Sequence, residues 1–210
     1  MKLLIKKIQN LKKSKVGDIV RKRILEFEKV GSSSEKDVFS ELCFCLLTAN
    51  FQAEKCIKIQ NEIGQGFENF SEKELALKLK NFGHRFWPQR AERIVLAREC
   101  KNELCENVLK KNSFEIREWL VENVKGLGMK ESSHFLRNIG YKNLAIIDFH
   151  ILDLLFKEGL IEFDRKKKTL TKNKYLEIEK VLKNLSGKCS VNLAELDLYL
   201  WYLETGKVLK

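Results

Sequence analysis

The sequence contains few of the residues that break a chain into strands and turns. It has one proline and 11 glycines among 210 residues. No stretch alternates between apolar and polar residues as a half-buried β-strand would. Apolar residues instead recur at helical spacing, separated by short polar breaks, and no repeat or low-complexity linker interrupts them. These absences predict an all-α fold.

Long apolar runs and paired cysteine motifs are also missing. No run approaches the roughly 20 apolar residues of a membrane span, and Met1–Asn10 is too charged for a secretory signal. We therefore expect an intracellular, cytoplasmic protein with no membrane partner. The six cysteines include no C-x-x-C pair, which argues against a zinc site. Most of them lie among apolar neighbours, as small core residues do.

What the sequence has in excess is positive charge. Lys and Arg number 40 against 29 Asp and Glu, for a formal net charge of +11. This balance favours a polyanionic partner, either nucleic acid or an anionic membrane surface. The lysines of Met1–Lys15 and of the charged loop Asp164–Lys168 are suited to contacts with phosphates. A solvated helix face explains the first stretch at least as well, and a solvated loop explains the second one better.

The most informative stretch is Val121–Ile151. Apolar residues recur at helical spacing on both sides of KGLGMK, which contains Gly126 and Gly128. Two glycines in three residues permit a tight hairpin, because glycine tolerates positive φ and the close approach of another backbone. We expect a helix, a hairpin and a second helix over residues 114–140, with the second helix starting near Met129. Its free N–H groups and positive dipole end then face the hairpin and suit a phosphate.

Two reactive side chains accompany this hairpin. Lys130 falls in the first turn of the predicted second helix, and Asp148 follows 18 residues later, after the apolar run Leu144–Ile147. Taken singly, each feature has an ordinary explanation: a helix–helix turn, a surface lysine, and an aspartate that caps the next helix. The combination of the three is more specific than any one of them.

This combination resembles the helix-hairpin-helix superfamily of DNA glycosylases. Within that superfamily, a lysine at the position of Lys130 is typical of the bifunctional glycosylase/lyase branch. The segments LGMKESSHFLRNIG and LAIIDFH are most similar to the compact, archaeal-type 8-oxoguanine DNA glycosylase/AP lyases, and the resemblance covers most of the chain. It implies two helical subdomains, approximately residues 35–120 and 1–34 plus 121–210, that flank a DNA-binding cleft. The β-rich domain of the larger eukaryotic-type enzymes is not expected. Only Cys189 follows Asp148, so the iron–sulfur cluster of endonuclease III-type relatives is not expected either.

The resemblance implies a reaction in which Lys130 is the nucleophile. Its neutral amine attacks C1′ of the damaged nucleotide and forms a Schiff base, after which β-elimination cuts the strand. The first turn of a helix, partly buried against DNA, favours a neutral amine. Asp148 would stabilise the cationic, oxocarbenium-like sugar and help to move protons. The expected protein is a monomer that acts on duplex DNA at the nucleoid and needs no cofactor or metal.

The target base must leave the duplex and enter a pocket with aromatic walls and a few polar groups. The resemblance supplies Trp201, Phe86 and Lys210 as base contacts. A carboxylate at Lys210 would accept a hydrogen bond from the N7–H that 8-oxoguanine has and guanine lacks. From their sequence contexts alone, Trp201 reads as a core residue and Phe86 as an anchor beneath a loop.

Other positions are expected to contact the DNA around the lesion. In the resembled superfamily, a polar side chain after a helix such as 35–49 fills the gap left by the flipped base. Asn50 is the best match and Gln52 the next, with a plain helix cap as the alternative. His150 is expected to contact a phosphate, the alternative being a buried or capping histidine, while His84 and His134 receive no role.

Two other functions compete with this interpretation. A related glycosylase for oxidised pyrimidines or mismatched adenine is disfavoured by the missing cysteine cluster and by the Trp201–Lys210 tail. A non-enzymatic DNA-binding module would use the same hairpin on phosphates. The pairing of Lys130 with Asp148 argues against that module.

Overall fold

The computed structural model describes residues 1–163 and 170–210, which fold into helices joined by short connections. The predicted charged loop Asp164–Lys168 lies outside these ranges. The described helices are α1 (Lys2–Lys12), α2 (Lys15–Gly31), α3 (Glu35–Thr48), α4 (Ala53–Ile63), α5 (Gly66–Asn69), α6 (Glu72–Asn81), α7 (Trp87–Ala97), α8 (Lys101–Lys110), α9 (Ser113–Asn123), α10 (Met129–Asn138), α11 (Phe149–Lys157), α12 (Lys172–Cys189) and α13 (Leu193–Thr205). No strand occurs in the described ranges, and the prediction of an all-α fold is confirmed.

Polar side chains fix where several of these helices begin. The sequence Ser71-x-x-Glu74 predicts a capping box, and the structure contains it: the Glu74 amide donates to Ser71 Oγ at 3.3 Å, and the Ser71 amide donates to Glu74 Oε2 at 2.8 Å. Asn112 and Glu115 form the same motif at the start of α9. Each box satisfies amide groups that a helix leaves free. The second box sets the start of the helix that leads into the hairpin.

The first hydrophobic cluster surrounds α3. Ten of the fourteen residues of this helix are buried, as expected for a helix that is apolar on nearly all sides. Helices α4, α7 and α10 pack against it. Cys43, Cys45 and Cys56 are fully buried in this cluster, and Cys189 is buried in the second cluster described below. Four of the six cysteines are therefore core residues, as predicted for most of them.

The second cluster brings the two ends of the chain together. Helices α1 and α2 pack with α11, α12 and α13. The apolar run Leu144–Ile147 passes from one cluster to the other, because Leu144 belongs to the first while Ala145 and Ile147 belong to the second. Asp148 therefore follows directly after this crossing.

A buried ion pair connects the two clusters. Arg117 of α9 donates to Glu179 of α12 through two bonds, Nη1 to Oε1 at 2.6 Å and Nη2 to Oε2 at 2.9 Å. Glu179 Oε1 also accepts a hydrogen bond from the Ala145 amide at 2.8 Å. Bidentate guanidinium–carboxylate pairs are geometrically selective. This pair therefore ties the first helix of the hairpin to the segment that leads into Asp148.

Within residues 1–163 and 170–210, none of the helices has both the length and the apolar character that a membrane span requires.

Candidate active site

A cleft of about 1010 Å³ is lined by elements of both clusters. Its walls come from the turn between α3 and α4, the first turns of α10 and α11, and the end of the chain from α13 onward. The residues predicted from the sequence that line it are Asn50, Gln52, Gly128, Lys130, Asp148, His150, Trp201 and Lys210. The fold thus brings most of the predicted site together although its members are widely separated along the chain.

The hairpin between α9 and α10 determines where Lys130 lies. Helix α10 begins at Met129, as predicted. Only the first hairpin glycine uses the left-handed region: Gly126 has φ of +100°, whereas Gly128 has φ of −104° and serves as the N-cap of α10. Gly126 does not line the cleft, so Gly128 is the glycine that places its backbone beside the site.

Lys130 is the second residue of α10 and is partly buried, with 23% of its side chain exposed. A Glu131 carboxylate oxygen lies 3.9 Å from its Nζ, which is at the outer limit of an ion pair. Glu131 Oε2 also accepts a hydrogen bond from the Gly128 amide at 3.4 Å. Contacts this long are weak, so the Lys130 amine can turn toward a bound substrate.

Asp148 is the N-cap of α11. Its Oδ1 accepts a hydrogen bond from the Ile151 amide at 2.9 Å, which confirms the capping role that the sequence suggested. Asp148 also lines the cleft together with Lys130. The cap bond fixes the orientation of the carboxylate, and this is compatible with a role toward substrate.

Two charged residues in the cleft wall were not predicted. Arg137 of α10 and Asp197 of α13 form a buried pair, with Nη1 and Oδ2 3.1 Å apart. Burial and the nearby Asp148 raise the pKa of Asp197 to about 6, against the lowering effects of Arg137 and Lys130. The only sequence signal was an aspartate inside the apolar stretch LAELDLYLWYL, which cannot reveal a distant partner.

Trp201 and His150 meet in the cleft. Their ring centroids lie 5.1 Å apart with an interplanar angle of 85°, an edge-to-face arrangement. His150 is exposed, so it is not the buried histidine of the alternative interpretation. Trp201 is half-buried, and its Nε1 is buried without a hydrogen-bond partner in the described part of the chain. An indole with an unused N–H in a cleft is available to a ligand.

Phe86 lies beside the cleft and does not line it. Its half-buried ring is contacted by two guanidinium groups, with Arg85 Cζ 4.4 Å and Arg90 Cζ 5.6 Å from the ring centroid. The exposed Arg85 lines this edge of the cleft. Of the two aromatic residues predicted to contact the base, Trp201 therefore lines the cleft and Phe86 does not.

The turn between α3 and α4 places Asn50 and Gln52 at the cleft. Both are exposed, and neither caps a helix with its side chain, so the cap interpretation of Asn50 is not supported. Asn50 has φ of +59°, a conformation that asparagine tolerates better than most residues. The turn is held from behind, because Arg90 Nη2 donates to the Ala49 carbonyl at 2.6 Å.

Lys210 lines the cleft while its side chain turns into the first cluster. Its Nζ lies 2.8 Å from Glu41 Oε2 and 4.3 Å from the centroid of Phe44, and it also donates to Gln60 Oε1. Glu41 accepts a further hydrogen bond from Asn138 Nδ2 at 2.6 Å. Glu41 was not predicted, since its only signal was an acidic residue within an apolar helix.

The chain is similar to proteins of known family over nearly its whole length. A family model described as 8-oxoguanine DNA glycosylase matches residues 20–191. A protein from Methanocaldococcus jannaschii named 8-oxoguanine DNA glycosylase/AP lyase is 53% identical over 99% of this chain and 100% of its own. A protein of the same name from Korarchaeum cryptofilum is 51% identical, covering 99% and 98%.

Solved structures agree with this comparison. The Methanocaldococcus jannaschii 8-oxoguanine glycosylase/lyase in complex with a 15mer DNA containing 8-oxoguanine superimposes with a TM-score of 0.95, at 52% identity over 99% of this chain and 100% of that one. The 8-oxoguanine DNA glycosylase of Thermotoga maritima gives a TM-score of 0.93 at 42% identity, covering 100% and 99%.

Proposed function

Because the chain belongs to the 8-oxoguanine DNA glycosylase family, we propose that Lys130 and Asp148 carry out 8-oxoguanine excision and strand cleavage at the abasic site. The protein acts as an 8-oxoguanine DNA glycosylase/AP lyase. The observation that carries the residue assignment is that a loosely held amine and a fixed carboxylate line one cleft. The net charge of +11 suits a DNA substrate.

In the first step the Lys130 amine, in its neutral form, attacks C1′ of the flipped-out nucleotide. The C1′–N9 bond breaks, and the base leaves with the bonding electron pair and takes up a proton. Positive charge develops on the sugar in the transition state, where the oriented carboxylate of Asp148 stabilises it. Opening of the sugar ring then yields a Schiff base between Nζ and C1′.

In the second step the Schiff base makes the neighbouring C2′ proton acidic. Removal of this proton expels the 3′ phosphate, so the C3′–O bond breaks and the strand is cut. Asp148 is positioned to assist proton transfers, because the backbone bond to Ile151 holds its carboxylate in the cleft. Hydrolysis of the Schiff base returns the amine of Lys130.

Trp201, Phe86 and Lys210 are the proposed contacts of the excised base. Trp201 is supported by its place in the cleft and its unused N–H. Lys210 is supported by its place in the cleft wall and by the buried contact of its Nζ with Glu41. Phe86 is supported by its place beside the cleft, where its ring contacts the guanidinium group of the lining residue Arg85.

Asn50 and Gln52 are the proposed residues that fill the gap in the duplex, and Asn50 is preferred because its turn is exposed and fixed. Gly126, Gly128 and the start of α10 are the proposed phosphate site, with His150 contacting a second phosphate. A chromosomal substrate implies action at the nucleoid. We also propose that the chain forms two helical subdomains, approximately residues 35–120 and residues 1–34 plus 121–210, on the two sides of the cleft.

Borohydride trapping tests the role of Lys130. We expect the wild-type protein to form a covalent adduct with a duplex that contains 8-oxoguanine, and Lys130→Gln to form none while still binding the duplex. Lys110→Gln is the matched control, because Lys110 is an exposed lysine paired with Glu106 on α8 and outside the cleft. Trapping of Lys130→Gln at the wild-type level would contradict the assignment.

The same experiment separates the competing functions. Duplexes that contain 8-oxoguanine, an oxidised pyrimidine or a mismatched adenine are compared for strand cleavage and for the borohydride-trapped covalent adduct. Preferential cleavage at 8-oxoguanine supports the proposal, preference for another lesion supports a related glycosylase, and binding without an adduct on any duplex supports a DNA-binding module.

A further inference from the structure

His134 is a buried histidine whose ring nitrogens form no hydrogen bond of good geometry in the described part of the chain, although the backbone of Lys210 lies close to the ring. Only 6% of the residue is exposed, and both ring nitrogens, Nδ1 and Nε2, are buried without a hydrogen bond. Buried polar atoms in folded proteins are nearly always paired, so an unpaired ring requires a specific explanation. His134 lines the cleft, which makes a bound ligand the natural partner.

The position of His134 relates it to the proposed nucleophile. It follows Lys130 by four residues on α10, and residues at this spacing lie on the same face of a helix. The ring of Phe44 packs edge-on against it, with centroids 5.8 Å apart and an interplanar angle of 77°. Packing against Phe44 therefore orients the imidazole, which is presented to the cleft beside the amine.

Three residues that line this cleft have buried nitrogens without a hydrogen bond in the described ranges: His134, Arg137 and Trp201. Arg137 is paired with Asp197, which leaves His134 and Trp201 as the unpaired aromatic groups. A planar aromatic ligand with polar edges matches such a pair, because it can stack on apolar side chains while its edge forms hydrogen bonds. A nucleobase outside the duplex has this chemistry.

The surroundings of His134 keep its ring neutral at pH 7. Burial lowers the pKa of His134 well below 6.5, and the nearby cations Arg137, Lys130 and Lys210 lower it further, against the raising effect of a contact with the Lys210 backbone. A neutral imidazole has one N–H donor and one acceptor nitrogen. It is suited to a hydrogen bond with a carbonyl oxygen or a ring N–H of the base, and it is not a proton source.

His84 shows that burial alone does not leave a histidine unpaired in this protein. It is 1% exposed, yet its Nε2 lies 3.0 Å from the Leu47 carbonyl oxygen and its Nδ1 accepts a hydrogen bond from the Phe86 amide at 3.2 Å. His84 thus stabilises the end of α3. Both ring nitrogens of the core residue His84 thus form hydrogen bonds, whereas those of His134 at the cleft form none of good geometry.

We infer that His134 is a specificity-determining contact of the flipped-out base, to which one of its ring nitrogens forms a hydrogen bond. The inference rests on the proposed function, since it assigns a residue to the base pocket of that activity. It adds to the proposed contacts a residue on the nucleophile's own helix, so that α10 both delivers the amine and reads the base.

The test compares two activities of each variant: excision of 8-oxoguanine in single-turnover conditions and cleavage of a duplex with an abasic site. An abasic site presents no base, so a base contact changes the ratio of the two rates. In His134→Leu we expect the rate of 8-oxoguanine excision divided by the rate of abasic-site cleavage to fall at least tenfold. We also expect an unchanged or higher Tm, because an apolar side chain of similar size replaces two unpaired buried nitrogens.

His134→Asn and His84→Leu complete the experiment. His134→Asn keeps a donor and an acceptor and is expected to lose less of the ratio, which also provides a readout if the leucine variant folds poorly. His84→Leu removes the hydrogen bonds with the Leu47 carbonyl and the Phe86 amide and is expected to lower Tm, in contrast to His134→Leu.

An unchanged ratio in His134→Leu would overturn the inference. So would a lower Tm with both activities falling in proportion, because that result describes a structural residue. In either case wild-type excision and trapping would remain, and the proposed function would stand. Absence of 8-oxoguanine excision by the wild-type protein would instead contradict the proposed function itself.

Discussion

At Asp148 one carboxylate serves both the fold and the proposed chemistry. Asparagine caps a helix about as well as aspartate does but carries no charge. We expect Asp148→Asn to keep wild-type stability and to lose about 10²–10³-fold in the excision rate. Asp148→Ala should lose the same activity and, in addition, about 1 kcal/mol of stability with the cap. Thermal melts and single-turnover excision measure the two effects, and near wild-type excision by Asp148→Asn would show that the residue is only a cap.

His134 predicts a pH dependence of stability with a definite sign. In the unfolded chain a histidine binds a proton below its ordinary pKa of 6.5, whereas in the folded protein His134 does not. Stability is therefore lost as pH falls below 6.5. Relative to wild type, His134→Leu should gain stability between pH 7.5 and 5.5, by at most about 1.4 kcal/mol per pH unit below 6.5.

Urea unfolding of both proteins at the two pH values measures this difference. Asp197, whose raised pKa of about 6 makes stability fall as pH rises from 3.8 toward 6, is present in both proteins and cancels in the comparison. A stability difference that is the same at pH 7.5 and 5.5 would contradict a neutral, buried His134.

The candidates that the sequence offers are residues whose proposed roles follow from their neighbours in sequence. Lys130 is proposed from the hairpin next to it and Asp148 from the apolar run before it, and both line the cleft. Glu41, His134 and Asp197 could not be predicted, because their roles depend on burial and on partners in other helices. A sequence shows a polar residue in an apolar stretch, but it does not show what faces that residue across the fold.

The two hairpin glycines before α10 differ in how well their positions could accept a side chain. At Gly126, φ of +100° is unfavourable for any residue with a side chain, and an added Cβ would lie 2.5 Å from Arg93 Cδ. At Gly128 the backbone is extended, and an added Cβ would lie 3.4 Å from Glu131 Oε2. Serine is a good N-cap residue and suits the second position.

We therefore expect Gly126→Ser to lower the free energy of unfolding by about 1–3 kcal/mol. Gly128→Ser should cost less than about 0.5 kcal/mol, because it meets no positive φ and introduces a capping side chain. Chemical denaturation of the two variants gives the comparison. Equal decreases in the free energy of unfolding would show that positive φ at Gly126 is not the reason for its glycine.

Among the helices, local polar signals account for the differences between predicted and observed limits. The apolar pattern predicts a helix over Tyr175–Leu185, whereas α12 covers Lys172–Cys189. Thr171 accepts a hydrogen bond from the Lys174 amide and starts the helix earlier. Periodicity locates the buried turns of a helix, but its exposed ends are set by single capping side chains.

For the whole molecule, the charge of +11 predicts binding that weakens steeply with salt. DNA binding that neutralises phosphates releases counterions, so the logarithm of the affinity falls linearly with the logarithm of the salt concentration. We expect at least a tenfold loss of affinity for an undamaged duplex between about 50 and 200 mM salt. Fluorescence anisotropy measures it, and an affinity that hardly changes would argue against DNA as the partner.

The contacts made after α13 have a mechanical consequence. Lys207 pairs with Glu54 at 2.6 Å and Lys210 with Glu41 at 2.8 Å, so the end of the chain is fastened across the cleft to α3 and α4. The Lys210–Glu41 pair is largely buried and disfavours widening of the cleft, whereas the exposed Lys207–Glu54 pair adds little. We therefore expect the double helix, and not the cleft, to deform when a nucleotide enters. Bases that stack or pair poorly yield to that deformation most easily. We expect the free energy of removing a base from the duplex to contribute to selectivity before any contact with the functional groups of that base.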